Sequence, residues 1–355
     1  MVDVGEELRR RYYSRLSVAA VALLIGSLFV AQSAPSSPAA TFTMHDFTPD
    51  FWRFWEAAQN QPVEQQAQLW RELYVSRHQA VFNDLATACK DQWDAAWSRT
   101  NYLVDLPRVI PAIRTMVAGL PQQLEQANSR FLKTFPDMQW SGDIYVMASG
   151  YCFNGRSQMI QGRSALLFGV DAVAALGQKD LIPGMQHELF HRHHRQFFDF
   201  EPSSGYPLWT TLWAEGMASY VAELLNPSAS EIDLSQVPLG MVRQVNDRRG
   251  RLAADFLHRF ESSAERDVTL YFNDISSKDA LVPARAGYQL GVLVIRDLSK
   301  QYSIQTMAHW SQTEVKPRVH AALKRISATP SRCSASIQLN RSSCRTAVGL
   351  EPQSA

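Results

Sequence analysis

The chain has 355 residues, 46% of them hydrophobic, with 35 basic against 34 acidic side chains and a formal charge of +1. That length and apolar content suffice for a sizeable core in one or two domains. The charge balance leaves no electrostatic footprint for nucleic acid or an acidic partner, and the sequence has neither a phosphate-binding glycine loop nor a Gly-x-Ser-x-Gly nucleophile turn.

Residues 1–40 read as targeting rather than fold. Arg9, Arg10, Arg11 and Arg15 precede an apolar run of 16 residues from Leu16 to Ala31, followed by a Ser/Pro/Ala stretch. The run is long for a signal-peptide core and short for a confident membrane span, so a cleaved signal peptide and a retained N-terminal anchor both stay open. Small residues around Ala31 and Ala34 suit a signal peptidase, and no Cys follows to carry a lipid. In either case the arginines stay cytoplasmic and the body is exported, periplasmic or in the cell envelope. It is secreted if cleaved and otherwise held by residues 16–31.

From Phe42 to about Met138 the pattern is helical, giving a helical N-terminal region over 41–138. Thr48-Pro49-Asp50 is a helix start, and Phe51, Phe54, Trp55, Trp70, Tyr74 and Phe82 recur at helical spacing as core. His45 and His78 have no ligand-spaced partner and read as surface or satisfied core residues.

A strand region follows. Ile144–Ala148 is β-prone, Asn154-Gly155 is a turn signal, and Ser164–Asp171 is a second strand. The segment Ala165–Val170 just before the next helix either lies at a sheet edge, where an extended peptide could add as a strand, or is an ordinary internal strand.

That next helix carries His187-Glu188-Leu189-Phe190-His191. Histidines four residues apart on a helix share one face and can hold one zinc ion at about 2.0–2.1 Å. Glu188 sits roughly 100° around the helix, placed to take a proton from a water activated by the metal. Asp180 is the expected N-cap, and Met185, Leu189 and Phe190 supply the buried side. His194 is a ligand on paper but lies a turn too far along. With His193, Arg192 and Arg195 it reads as part of a cleft rim or of the groups behind the ligands.

A catalytic zinc site needs a third protein ligand and leaves a fourth position open. Glu215 supplies it, in the apolar helix PLWTTLWAEGMASYVAEL, where Gly216 would let the Glu215 helix approach the first one closely. These segments make a catalytic core over 139–226. A helical C-terminal region spans 227–328, with Asp247-Arg248-Arg249-Gly250-Arg251 as a solvated face. Within it Tyr288 heads an apolar helix, either as a donor to a developing oxyanion or as a core tyrosine. His309 and His320 are weaker donor candidates. The tail, 329–355, holds Cys333 and Cys344, the favoured disulfide pair; Cys89 with Cys152 follows by elimination unless Cys89 is simply a buried small residue.

HELFH followed by LWAEGMASY resembles the gluzincin metallopeptidases, whose third zinc ligand is a glutamate on a following helix. The EGxAxY form, with Gly287-Tyr288-Gln289-Leu290-Gly291 downstream, is similar to bacterial predicted zinc-dependent proteases. The resemblance covers roughly 144–326 and implies an α+β, mostly helical fold in which a zincin-like core with a small β-sheet is flanked by helices. It implies one zinc ion on His187, His191 and Glu215, with Glu188 and Tyr288 in catalysis and a peptide or protein as substrate. The alternative is a non-catalytic zinc-containing envelope domain that binds a protein partner. Oligomeric state and cleavage preference are not legible.

Overall fold

The computed structural model describes residues 42–198, 205–235, 240–274, 277 and 279–328. Among these the protein is α+β and mostly helical, around one small sheet. The N-terminal targeting segment and the Cys333/Cys344 pair lie outside the described residues. Among the described residues no helix is long and apolar enough to cross a membrane.

The sheet has four strands, β1 (Phe42–Asp46), β2 (Gly142–Met147), β3 (Gly155–Ile160) and β4 (Arg163–Gly169), in the order β1-β2-β4-β3. β1 and β4 flank β2 in parallel, and β3 runs antiparallel to β4. β2 is buried along its whole length, as a central strand covered on both faces must be. Two of these strands depart from the sequence reading. Phe42–Asp46 is strand rather than helix, held by pairing with residues far along the chain. Asn154-Gly155 is not the hairpin turn, because Gly155 begins β3 and the turn falls at Gln161-Gly162, where both residues have positive φ (49° and 75°). Two left-handed residues in a two-residue loop match the twist of the strands they join.

The order also settles the position of Ala165–Val170. The β4 part of this segment is internal, between β2 and β3, so it is not the edge strand; the edge beside the site helix is β3. β4 holds the inner place because Ala165, Leu166, Leu167 and Phe168 are apolar on both faces, whereas β3 is built of Arg156, Ser157 and Gln158 with Met159 exposed.

Helix α1 (Thr48–Ala58) starts with Pro49 in its first turn and buries Phe51, Phe54 and Trp55. Its aromatic face meets Trp70 and Tyr74, and Tyr74 in turn fastens the end of β2: its hydroxyl accepts from Ala148 N at 2.8 Å and donates to Ala148 O at 3.2 Å. The loop beyond β2 is held from several sides. Buried Asp171 accepts from Ser149 N at 2.7 Å and Tyr151 N at 3.0 Å, and Trp93 donates to Ser149 O at 2.8 Å. Cys152 in that loop is disulfide-bonded to Cys89, with Cα atoms 5.4 Å apart. The pairing reached by elimination is therefore present, and Cys89 is not a free buried thiol.

Two further helices, α2 (Leu103–Val117) and α3 (Leu120–Thr134), lead to β2. The site helix α4 (Ile182–His194) follows β4, and α5 (Leu208–Leu225) packs against it. The C-terminal part adds α6 (Met241–His258), α7 (Ala286–Leu298), the short α8 (Ile304–Ala308) and α9 (Gln312–Ser327). The closest helix pair is α5 with α7, which cross at Gly216 and Gly291. A Cβ on Gly291 would lie 2.6 Å from Gly216 Cα, so only two glycines permit the contact. Gly216 thus serves the approach of α7 rather than of α4, correcting the expectation from sequence.

Candidate metal centre

The site is assembled on α4. Its N-cap position is Leu181 rather than the expected Asp180, whose carboxylate instead accepts the Ile182 amide at 2.8 Å from one residue earlier, and Pro183 in the first turn lacks the donor that would go unmet there. Met185, Leu189 and Phe190 are fully buried. Buried Gln186 fixes the helix at two points: it donates to Ala127 O in α3 at 3.0 Å and accepts from Asn226, just past α5, at 2.6 Å. The opposite face presents His187 and His191 partly open to solvent.

α5 is apolar nearly all round and therefore buried on most sides. Glu215 is an ionisable group in its middle, and a carboxylate in such a place needs compensation. It finds it in the two histidines. His187 Nε2 and His191 Nε2 lie 3.0 Å apart, and Glu215 Oε2 is 3.2 Å from the first and 3.5 Å from the second. Burial alone favours neutral Glu215, but the charge of His191 and hydrogen bonds from both imidazoles pull its pKa far below the usual carboxylate range. Burial likewise opposes a charge on His191, and Glu215 with Glu188 overcomes it, leaving its pKa above the ordinary value.

These three side chains can hold a metal ion. Ligands held tetrahedrally at about 2.0–2.1 Å stand roughly 3.3 Å from one another, and the three observed separations bracket that value. Two imidazole nitrogens that face each other at 3.0 Å also require either a proton or a cation between them.

The neighbouring residues divide into those the fold brings to the triad and those it takes elsewhere. Glu188 points towards the start of β3, where a Cβ on Gly155 would sit 3.7 Å from its Oε1. Tyr288, on the first turn of α7, has its ring 6.4 Å from that of His187. Burial pushes its pKa up to about 12, opposed by the Arg285 guanidinium and reinforced by Glu215 and Glu188. Arg285 lies 4.4 Å over the Tyr288 ring and has a left-handed backbone, φ 54°. Gly287 admits Phe272 against the helix start, because a Cβ there would meet its ring at 2.4 Å.

His193 and His194 are not rim groups: both are buried. His194 Nε2 accepts from Trp213 Nε1 at 3.2 Å and its ring stacks on Phe198, so it ties α4 to α5, and burial drives its pKa well down. His193 faces Asp137, which also meets His309, so His309 serves a second cluster and not the triad. His320 packs on Phe260. Arg192 does reach the rim, where it hydrogen-bonds Ser157 of β3 and lies over Trp140. Sequence reasoning missed Arg285, Gly155 and Asp137. Arg285, two residues before the GYxxG segment, sits near a signal that could have found it, and Gly155 entered only as half of a turn signal.

Comparison with known proteins finds no matching family model, no matching curated protein and no matching solved structure.

Proposed function

We propose that the protein is an exported zinc-dependent peptidase with a zincin-like core, in which His187, His191 and Glu215 hold one zinc ion. The observation that carries this reading is the convergence of three ligand atoms at 3.0, 3.2 and 3.5 Å from two helices. Zinc, the ion such an imidazole and carboxylate set suits, supplies Lewis-acid polarisation of a carbonyl and brings the pKa of a bound water to about 7.

The chain's own residues supply the rest. Glu188 takes a proton from the attacking water and returns it to the leaving amine. The raised pKa of Tyr288 keeps its phenol protonated, so it can donate to the oxygen that becomes negative as the carbonyl is attacked. β3 offers an edge of backbone groups that begins at Gly155 beside Glu188, and an extended peptide added there would run past the base with affinity independent of its side chains. The Cys89–Cys152 disulfide supports an oxidising compartment and hence export. A purely structural zinc domain has no use for a carboxylate placed like Glu188, which weighs against the non-catalytic alternative.

Glu188→Gln in the full-length chain tests the assignment. The variant should bind zinc as the parent does and lose cleavage of a peptide library. Undiminished cleavage with zinc bound would remove Glu188 from the mechanism.

A further inference from the structure

The site helix contributes one member to a second set of ligand-type side chains. His193, two residues beyond His191 and so roughly 200° around the helix, points away from the triad. Its Nε2 lies 3.0 Å from Asp137 Oδ1, while His309 Nε2 lies 2.6 Å from Asp137 Oδ2. One ligand atom from each of the three falls within 4.8 Å of the other two. The groups come from α4, from the turn after α3 and from the residue after α8.

The hydrogen-bond arrangement separates this cluster from an ordinary surface ion pair. His309 Nδ1 is 2.6 Å from Gln305 O, and a carbonyl only accepts, so Nδ1 carries the proton. The neutral tautomer then leaves Nε2 with a lone pair, aimed at a carboxylate oxygen that also only accepts. Two acceptors at 2.6 Å need something positive between them, either an extra proton on the ring or a cation. An imidazole fixed through Nδ1–H to a backbone carbonyl is also how metal-ligating histidines are commonly oriented. His193 has no such anchor and is placed by packing instead. Its ring is caged by Phe135 and Phe197 and its Nδ1 has no hydrogen-bond partner, so its one polar outlet is towards Asp137.

We propose that Asp137, His193 and His309 form a second site for a divalent first-row transition ion, with zinc as the occupant that two imidazoles and a carboxylate favour. The site is built on the buried side by His193, whose side chain is 0% exposed, and open on the other, where Asp137 and His309 are 38% and 42% exposed. An ion can therefore enter and leave from solvent. When bound it joins the last turn of α4 to the Asp137 turn and to α8, clamping the end of the helix that presents His187 and His191. The site stands independently of the proposed catalytic triad.

Zinc content of the full-length chain, purified without an affinity tag and equilibrated with zinc, tests this. The parent should hold about two equivalents, one for each ligand group. Both Asp137→Asn and His309→Ala should lose one while keeping the triad's. Glu215→Ala should lose the other, and the double variant H309A/E215A both. Asp137→Asn keeps the shape and a hydrogen-bonding amide, so its loss of zinc at unchanged folding marks a ligand rather than a fold defect. One equivalent in the parent, unchanged in H309A and absent in E215A, would overturn the proposal and leave a proton-bridged His–carboxylate–His clamp. One equivalent that survives E215A but not H309A would uphold the second site and sink the reading of the first.

Discussion

Replacing Gly291 by alanine adds one methyl group at the point where α5 and α7 touch. The new Cβ would lie 2.6 Å from Gly216 Cα and 2.7 Å from Leu212 O. Non-bonded carbons rest at about 3.5–4.0 Å, and both obstacles are backbone, so no rotamer change relieves the clash and α7 must withdraw by about 1 Å. Overpacking of this kind costs about 1–3 kcal/mol. At about 2–4 °C per kcal/mol, the melting temperature should fall by roughly 2–12 °C. The functional loss should be larger than the loss of stability, because Tyr288 precedes Gly291 by one turn of α7 and Glu215 adjoins Gly216. Moving the phenol about 1 Å from the ligands costs on the order of 10²-fold in turnover. Thermal unfolding, zinc content and peptide cleavage should be compared with those of Val104→Ala, which trims a side chain 65% exposed and should stay within about 0.5 kcal/mol of the parent. A Gly291→Ala protein with the melting temperature and turnover of Val104→Ala would show that the glycine contact does not set the spacing of the site.

Tyr288→Phe should lower kcat by about 10²–10³-fold with KM little changed, the effect of removing one oxyanion donor. Because the Tyr288 pKa is pushed up to about 12, the phenol stays protonated across the neutral and mildly alkaline range. The alkaline limb of a pH–rate profile between pH 8 and 10 should therefore have the same midpoint in parent and Phe variant; a limb that vanishes with the phenol would show Tyr288 titrating in that range and contradict its raised pKa. Reduction of Cys89–Cys152 frees a loop spanning a sequence separation of 63, for which chain entropy predicts a loss of about 4 kcal/mol. Unfolding midpoints with and without reductant measure it, and coincident midpoints would mean that the packed loop around Asp171 holds without the bond.

The ligand spacing was legible because helical periodicity is local: His187 and His191 share a face whatever else the chain does. Glu215 was legible through contrast, as an acid in an otherwise apolar stretch that has to be compensated. Edge strand β3 escaped because Gly155-Arg156-Ser157-Gln158 carries no apolar alternation, as expected where a strand has one neighbour and faces solvent. β1 escaped for a different reason, since five residues become a strand only by pairing with Gly142–Val146 far along the chain. Arg192, His193, His194 and Arg195 read as a cleft rim or as groups behind the ligands, and of these His193 and His194 are buried away from any rim. What buries them comes largely from elsewhere in sequence: Phe135 against His193 and Trp213 against His194. Asp137 has no spacing relation to either histidine it meets, so its cluster belongs to tertiary structure alone.

The same distinction bears on how the site is held. HELFH supplies two ligand-type imidazoles but does not determine how far they stand from Glu215. That distance depends on contacts outside the motif: Gln186 between Ala127 and Asn226, and the Trp213–His194 hydrogen bond. The position of Tyr288 depends on the Gly216–Gly291 crossing and on Phe272 seated against Gly287. Each is buried and short-range, so each resists displacement more than a surface ion pair would. Trp213 is fully buried, and truncating His194 would leave its indole N–H without an acceptor beside a cavity. Variants at His194 should therefore weaken zinc binding at His191, three residues earlier on α4, although His194 itself touches no proposed ligand atom of the triad.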